Sequence, residues 1–204
     1  MAEISAMLFD VGGVLLTNGW DHLERSAVLS HFCVDRAAYE ARHELANDAW
    51  EKGFMTAEQF LQRTVFFEPR PFTPAEFLEE AKAQSRVLDS GALGVLDKLR
   101  ASNRLKLMVL NNESRELNDF RIERFGLHRY FDGFLSSCYL GLRKPDPRMF
   151  SLALEVLQRN AGEVAFVDDR EQNCAAAGSA GIHAIQYQNR DQFVKELERL
   201  GVEF

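Results

Sequence analysis

Cysteine is scarce in this chain. Cys33, Cys138 and Cys174 lie far apart, with no CxxC pair among them. That spacing supports neither a disulfide framework nor a thiolate zinc site, and the thiols are expected to be buried, because a free Cys behaves as a small hydrophobe. His22, His31, His43, His128 and His183 show no HxxxH or HExxH spacing, so the usual histidine metal sites are excluded. Long apolar runs are missing as well: none approaches the roughly 20 residues needed to span a bilayer. The opening residues, Met1-Ala2-Glu3-Ile4-Ser5, lack the basic and apolar stretches of a signal peptide. The expectation is a cytoplasmic protein with no membrane partner. Positive charge is also short, with 24 Lys and Arg against 31 Asp and Glu and a net charge of −7. The two signs are interspersed, whereas a nucleic-acid surface clusters its Lys and Arg. A site for an anionic ligand must therefore supply its positive charge locally, by a metal and one or two placed cations.

What is present is ordinary for a globular chain: 46% hydrophobic and 27% charged residues. At 204 residues there is room for one α/β core and a modest accessory domain. Short aliphatic runs at Ile4–Phe9, Leu105–Leu110, Val164–Val167 and Ile182–Gln186 read as buried strands, with a weaker fifth at Gly133–Ser137. Helical patterns separate them, at Ala92–Ala101, Arg115–Phe125, Pro147–Arg159, Gln172–Ala180 and Asp191–Leu200. This βα alternation predicts a parallel sheet covered by helices on both faces. From Trp20 to Leu88 the pattern is helical throughout. Two capping boxes, Thr56-Ala57-Glu58-Gln59 and Thr73-Pro74-Ala75-Glu76, place a hydroxyl three residues before a Glu or Gln. We expect an α/β fold, a Rossmann-like core with a parallel sheet flanked by helices. A small four-helix cap domain (18–88) is inserted after the first strand, and the core is formed by 1–17 and 89–204. Repeats and low-complexity segments are absent.

Four polar clusters follow four strands. Met7-Leu8-Phe9-Asp10-Val11-Gly12-Gly13 runs an apolar strand into an Asp and then a glycine pair that permits a tight turn. Leu107-Met108-Val109-Leu110 runs into Asn111 and Asn112, amides able to donate to an oxyanion. Gly141-Leu142-Arg143-Lys144-Pro145-Asp146-Pro147 sets a cation in a rigid turn ahead of a helix. Val164-Ala165-Phe166-Val167 runs into Asp168 and Asp169, an acid pair for which a hard, oxygen-bound cation is the simplest reason. Each alone has a plain structural reading, as a loop cap, a turn former or a solvated lysine. Together they place an Asp, a polar turn, a Lys and an acid pair at successive strand ends, where open α/β sheets bind ligands.

On these motifs, FDVGGVL, LNNES, LRKPDP and FVDDREQN, the chain resembles the haloacid dehalogenase superfamily in the branch with an all-helical cap. The likeness runs from Asp10 to Asn173 and is nearest in style to glucose-1-phosphatase-like enzymes and the phosphatase domain of soluble epoxide hydrolases. It implies a Mg²⁺-dependent phosphatase acting on a small phosphorylated metabolite, with Asp10 as the nucleophile that forms an aspartyl-phosphate. Mg²⁺ would be held by Asp10, the Gly12 carbonyl and the acid pair, with Asp169 the better match to the metal ligand and Asp168 its neighbour. Lys144 would hold Asp10 and the phosphoryl group in register, and Asn111 with the N–H of Asn112 would complete an oxyanion cradle.

Two positions depart from the family pattern. Gly12 stands where these phosphatases usually carry a second Asp as general acid and base, and Asn111 stands where Ser or Thr is usual. Good leaving groups, such as acyl or anomeric sugar phosphates, should then lose least and alkyl phosphates most. Two alternatives follow: a weak or inactive relative that binds phosphate ligands, and a metal-independent 2-haloacid dehalogenase using the same Asp. Asn18, Trp20, Arg42, His43, Asn47 and Trp50 are candidate cavity-lining residues of the cap, each also readable as packing or surface. Glu51 and Glu58 read as solvated helix faces. Gly19 and Ser90-Gly91 are expected near the crossings between cap and core, where small residues absorb φ/ψ change.

Overall fold

The computed structural model describes residues 2–88 and 91–203. The resumption of the core at residue 89 and the hinge expectation for Ser90 fall outside them. All five expected strands form, with ends shifted by a residue or two: β1 (Ala6–Phe9), β2 (Lys106–Asn111), β3 (Gly133–Ser136), β4 (Val164–Asp168) and β5 (His183–Gln186). They pair in the order β3-β2-β1-β4-β5, every pair parallel. Helices α5 (Ala92–Ser102), α6 (Arg115–Arg124), α7 (Ser137–Leu140), α8 (Pro147–Leu157), α9 (Glu171–Ser179) and α10 (Arg190–Arg199) connect or follow these strands. The four-residue α7 has no counterpart in the sequence reading, being too short for any periodicity.

The central strands are buried on both faces, which is why they read as continuous apolar runs rather than alternating ones. Met7 and Phe9 of β1 face one core cluster, closed by Val95, Leu96 and Leu99 of α5 and Phe193 and Leu197 of α10. Ala6 and Leu8 face the other, closed by Met149, Phe150 and Ala153 of α8 and Ala177 of α9. Pro147 occupies the first turn of α8, where its missing N–H costs nothing, and Asp146 caps that helix through the N–H of Arg148.

Four helices stand between β1 and α5: α1 (His22–His31), α2 (Arg36–Glu51), α3 (Ala57–Thr64) and α4 (Pro74–Ala83). Both capping boxes are formed, at Thr56 with Gln59 and at Thr73 with Glu76. These helices bury their own aromatic cluster, with Trp50 stacked on Phe60 at 4.0 Å and the Trp20 indole N–H donating to the Tyr39 hydroxyl at 2.9 Å. One core helix reaches into this layer. Leu117 of α6 joins its apolar cluster, and Glu116 accepts from the Ala57 N–H at 2.7 Å, at the positive end of α3. Among the described residues no helix is long and apolar enough to cross a membrane.

Candidate active site

The chain reverses direction across the sheet at β1: β2 and β3 lie on one side, β4 and β5 on the other. The crevice beyond the carboxyl ends of strands at such a reversal is the ligand site of open α/β sheets. Phe9 pairs with Val167, so the residues that follow, Asp10 and the 168–169 pair, emerge side by side. Asp10, Asp168 and Asp169 each bring a carboxylate oxygen within 4.8 Å of the others. Lys144 lies between two of them, its Nζ 3.0 Å from Asp10 Oδ2 and 2.5 Å from Asp168 Oδ2.

Burial and charge compete here. Burial disfavours the charged ammonium of Lys144, but Asp10 and Asp168 outweigh it and its pKa is raised. Burial pushes the Asp10 carboxyl up to about 7. Lys144 opposes that rise, and Asp168 and Asp169 add to it. The Asp169 carboxyl is also raised, by burial and by Asp168. Lys144 touches two of the three carboxylates, and Arg170, which opposes the rise of Asp169, is itself paired with Asp21 at 2.8 Å.

The two adjacent acids differ in what remains free. Asp168 is fully buried and saturated: it accepts from the Arg170 N–H at 2.8 Å, the Asn173 amide at 3.0 Å to each oxygen, and Lys144. Asp169 has a buried Oδ1 without a partner. Its other oxygen lies 2.2 Å from where a Cβ on Gly13 would be, and Gly13 has a φ of +70°, so glycine is required there twice over. An orphaned buried carboxylate oxygen beside a protonation-prone Asp10 fits a hard cation, which would supply the charge the protein lacks. Gly12 lies in the same turn and lines the crevice.

The two asparagines behave differently. Asn112 ties down the lysine turn reciprocally, donating to the Lys144 carbonyl at 2.8 Å and accepting from the Lys144 N–H at 2.8 Å. Asn111 is 3% exposed and turns its amide away from the cavity, donating to Asn118 Oδ1 at 3.0 Å.

The crevice opens into a cavity of about 400 Å³ between the strand ends and the four-helix layer. Of the expected lining residues, Asn18, Trp20 and Asn47 border it. Trp50 instead fills the aromatic cluster, Arg42 stacks 3.7 Å over the Phe67 ring, and His43 of α2 is buried against Tyr39 and Phe60. Glu51 corrects its expectation. Rather than lying on a solvated face, it lines the cavity and pairs with Arg143 at 2.8 Å. Cys33 is likewise exposed, not buried, while Cys138 is buried and Cys174 half-buried.

Comparison with known proteins agrees with this architecture. The haloacid dehalogenase-like hydrolase family matches residues 4–181. The chain belongs to that family. Relatives of this chain include flavin mononucleotide hydrolase 1 of Arabidopsis thaliana, 27% identical over 163 residues, or 80% of the chain and 65% of the relative. A second is acyl-CoA dehydrogenase family member 10 of mouse, 43% identical over 72 residues, or 35% of the chain and 7% of the relative. The chain thus spans under two thirds of the length of either. The fold matches a haloacid dehalogenase-family enzyme of Bacteroides thetaiotaomicron with a TM-score of 0.79 at 20% identity, covering 92% of this chain and 95% of that one. That enzyme's complex with magnesium and inorganic phosphate superposes with a TM-score of 0.72 at 19% identity, covering 91% and 95%.

Several residues at the site escaped the sequence reading. Arg170 pairs with Asp21 at 2.8 Å, and Arg143 reaches Glu51, so the cations flanking Asp169 and Lys144 bind carboxylates of the helical layer or its entry. Their adjacency to the motifs was the available signal. Arg121 and Glu113 form a buried pair at 2.7 Å beneath Gly19, whose Cβ would lie 2.3 Å from Glu113 Oε2. No local spacing announces that pair.

Proposed function

We propose that this hydrolase is a Mg²⁺-dependent phosphatase of small phosphorylated metabolites that works through an aspartyl-phosphate on Asp10. One observation carries the reading: Lys144 bridges Asp10 and Asp168 while the neighbouring Asp169 keeps a buried oxygen free. Asp10, Asp169 and the Gly12 carbonyl would hold the ion, and Asp168 would hold Lys144. When bound, Mg²⁺ supplies charge stabilisation to the phosphoryl oxygens and keeps Asp10 ionised. The protein's own part is positioning, which dominates phosphoryl transfer. Lys144 fixes the Asp10 carboxylate and donates to a phosphoryl oxygen. Asn112 holds the Lys144 backbone in place and offers its N–H, with Asn111 buttressing the same strand end. Residues 18–88 act as a cap on a core of 1–17 and 89–204, with Gly19 and Gly91, both at positive φ, near the crossings.

The cavity's composition narrows the leaving group. Arg25, Arg121, Arg143 and Arg170 line it, but each is paired with a carboxylate, and further acids, Asp48 and Asp146 among them, share the wall with the amides Asn18, Asn47, Asn112, Gln172 and Asn173. Such a wall suits an uncharged, polar leaving group better than a second anion. Gly12 favours one other reading, a phosphate-binding protein with little turnover. Hydrolysis of p-nitrophenyl phosphate with Mg²⁺, with EDTA and with Asp10→Asn separates these. Metal-dependent turnover lost in the variant is expected. Binding without turnover sinks the phosphatase, and chloride release from 2-chloropropionate would point to a dehalogenase.

A further inference from the structure

The space above Gly12 is already taken. A Cβ at Gly12 would lie 3.1 Å from Asn18 Oδ1 and 3.3 Å from Asn18 Cα, and a Cβ at Gly13 would lie 3.0 Å from the same oxygen. The Asn18 carboxamide therefore packs over the glycine pair, in room that exists because two side chains are missing. It borders the cavity together with Asp10, Gly12 and Trp20. Among the described residues no hydrogen bond or ion pair engages it. The other enclosed amides of the wall are committed: Asn47 donates to Glu51, Asn112 is locked to the Lys144 backbone, and Asn173 donates to Asp168. Asn18 is the inner amide left free for a ligand.

Its position defines what it would touch. Lys144 and Asp168 fill the core side of Asp10, so the remainder of a phosphate ester must extend towards the helical layer. In-line attack by Asp10 places the departing oxygen opposite the nucleophile, on that side. We propose, resting on the phosphatase reading above, that Asn18 occupies the station of the side chain absent at Gly12, its Oδ1 resting over the glycine pair, and donates a hydrogen bond from Nδ2 to the leaving-group oxygen. The bond from Asp10 to phosphorus forms as the phosphorus–oxygen bond breaks. The departing oxygen keeps the electron pair and takes its proton from water, and the amide keeps its own. Asn18 lowers the cost of charge on that oxygen without being an acid, and its help grows as the leaving group worsens.

The test is a leaving-group series, p-nitrophenyl, phenyl and glycerol phosphate, with wild type, Asn18→Ala, Gly12→Asp and the double variant. Asn18→Ala should lower kcat on glycerol phosphate by about 10–100-fold and on p-nitrophenyl phosphate by less than about 3-fold, because an oxyanion donor matters with the charge it meets. Gly12→Asp alone should be impaired by its collision with Asn18. The double variant should exceed Asn18→Ala on phenyl phosphate, the added carboxyl having gained room. A uniform drop across the series at unchanged melting temperature, or no change in either single variant, overturns the assignment. Wild type inactive on every ester overturns the phosphatase reading first, and this proposal falls with it.

Discussion

The two walls of the cavity are built differently. On the core wall, Lys144 and Asp168 are essentially inaccessible, and every charge there has a partner within 3.0 Å or, in Asp169, one oxygen kept free. That wall is anchored by strands whose register places Asp10 beside Asp168. On the opposite wall, Asp21, Asp48 and Glu51 meet Arg170 and Arg143 in partly exposed pairs. Exposed pairs are worth about 0–1 kcal/mol, and buried ones cost several when broken. The core wall is thus preorganised for one chemistry. The helical wall is held by contacts weak enough to open and re-form, which suits a surface that admits and selects the leaving group.

Removing the hub of the rigid wall should produce the largest effect. Lys144→Met leaves Asp10 and Asp168 buried without their shared cation, and should cost about 3–5 kcal/mol in urea unfolding. It should also lower kcat by at least about 10²-fold. A variant with near wild-type stability would show that the centre is less tightly coupled than its geometry implies.

Acid should act next, on the helical layer behind the second wall. Burial, helped by Arg25 and Arg143 and opposed by Glu40, holds the His43 imidazole down at about 4 against an ordinary 6.5. The unfolded chain therefore binds a proton between pH 6.5 and 4 that the folded one excludes, so stability contributed above 6.5 is lost as pH falls towards 4. His43→Gln should flatten that part of the pH–stability curve. The wild-type melting temperature should drop by roughly 5 °C more across the interval than that of the variant. Equal slopes would remove His43 from the account.

The smallest effect belongs to the helical wall's exposed pair. Asp21→Asn, which removes the charge and keeps a capping side chain on α1, should change stability by less than about 1 kcal/mol. It should still shift KM and reduce the dependence of KM on salt, because Arg170 is then released at the cavity rim. A larger effect on kcat than on KM would contradict the division between walls.

How far the sequence could be read follows the same division. The strand-end residues Asp10, Lys144, Asp168 and Asp169 were legible because a strand's end and its next residue are one signal, and a parallel sheet collects such ends in one crevice. The capping boxes at Thr56 and Thr73 were legible for the same local reason. Trp50, Arg42 and His43 were not separable from Asn18, Trp20 and Asn47, since all sit in the stretch 18–88, where no strand end marks a position and only packing decides which way each faces. Glu51 reads as a surface acid until Arg143, 92 residues away, is brought beside it. The Glu113–Arg121 pair and the use of Asn18 to fill the void over Gly12 and Gly13 depend on chain crossings that no local pattern encodes.

Under the proposed mechanism, Asp10 carries the phosphoryl group between its transfer and its release. Wild type and Asp10→Asn mixed with Mg²⁺ and p-nitrophenyl phosphate, quenched in acid within one turnover and digested, test it by mass spectrometry of the peptide spanning Asp10. The wild-type peptide should carry a phosphoryl-sized mass increase, removed by hydroxylamine and missing from the variant. Turnover with an unmodified Asp10 peptide, or with undiminished rate in Asp10→Asn, would contradict it.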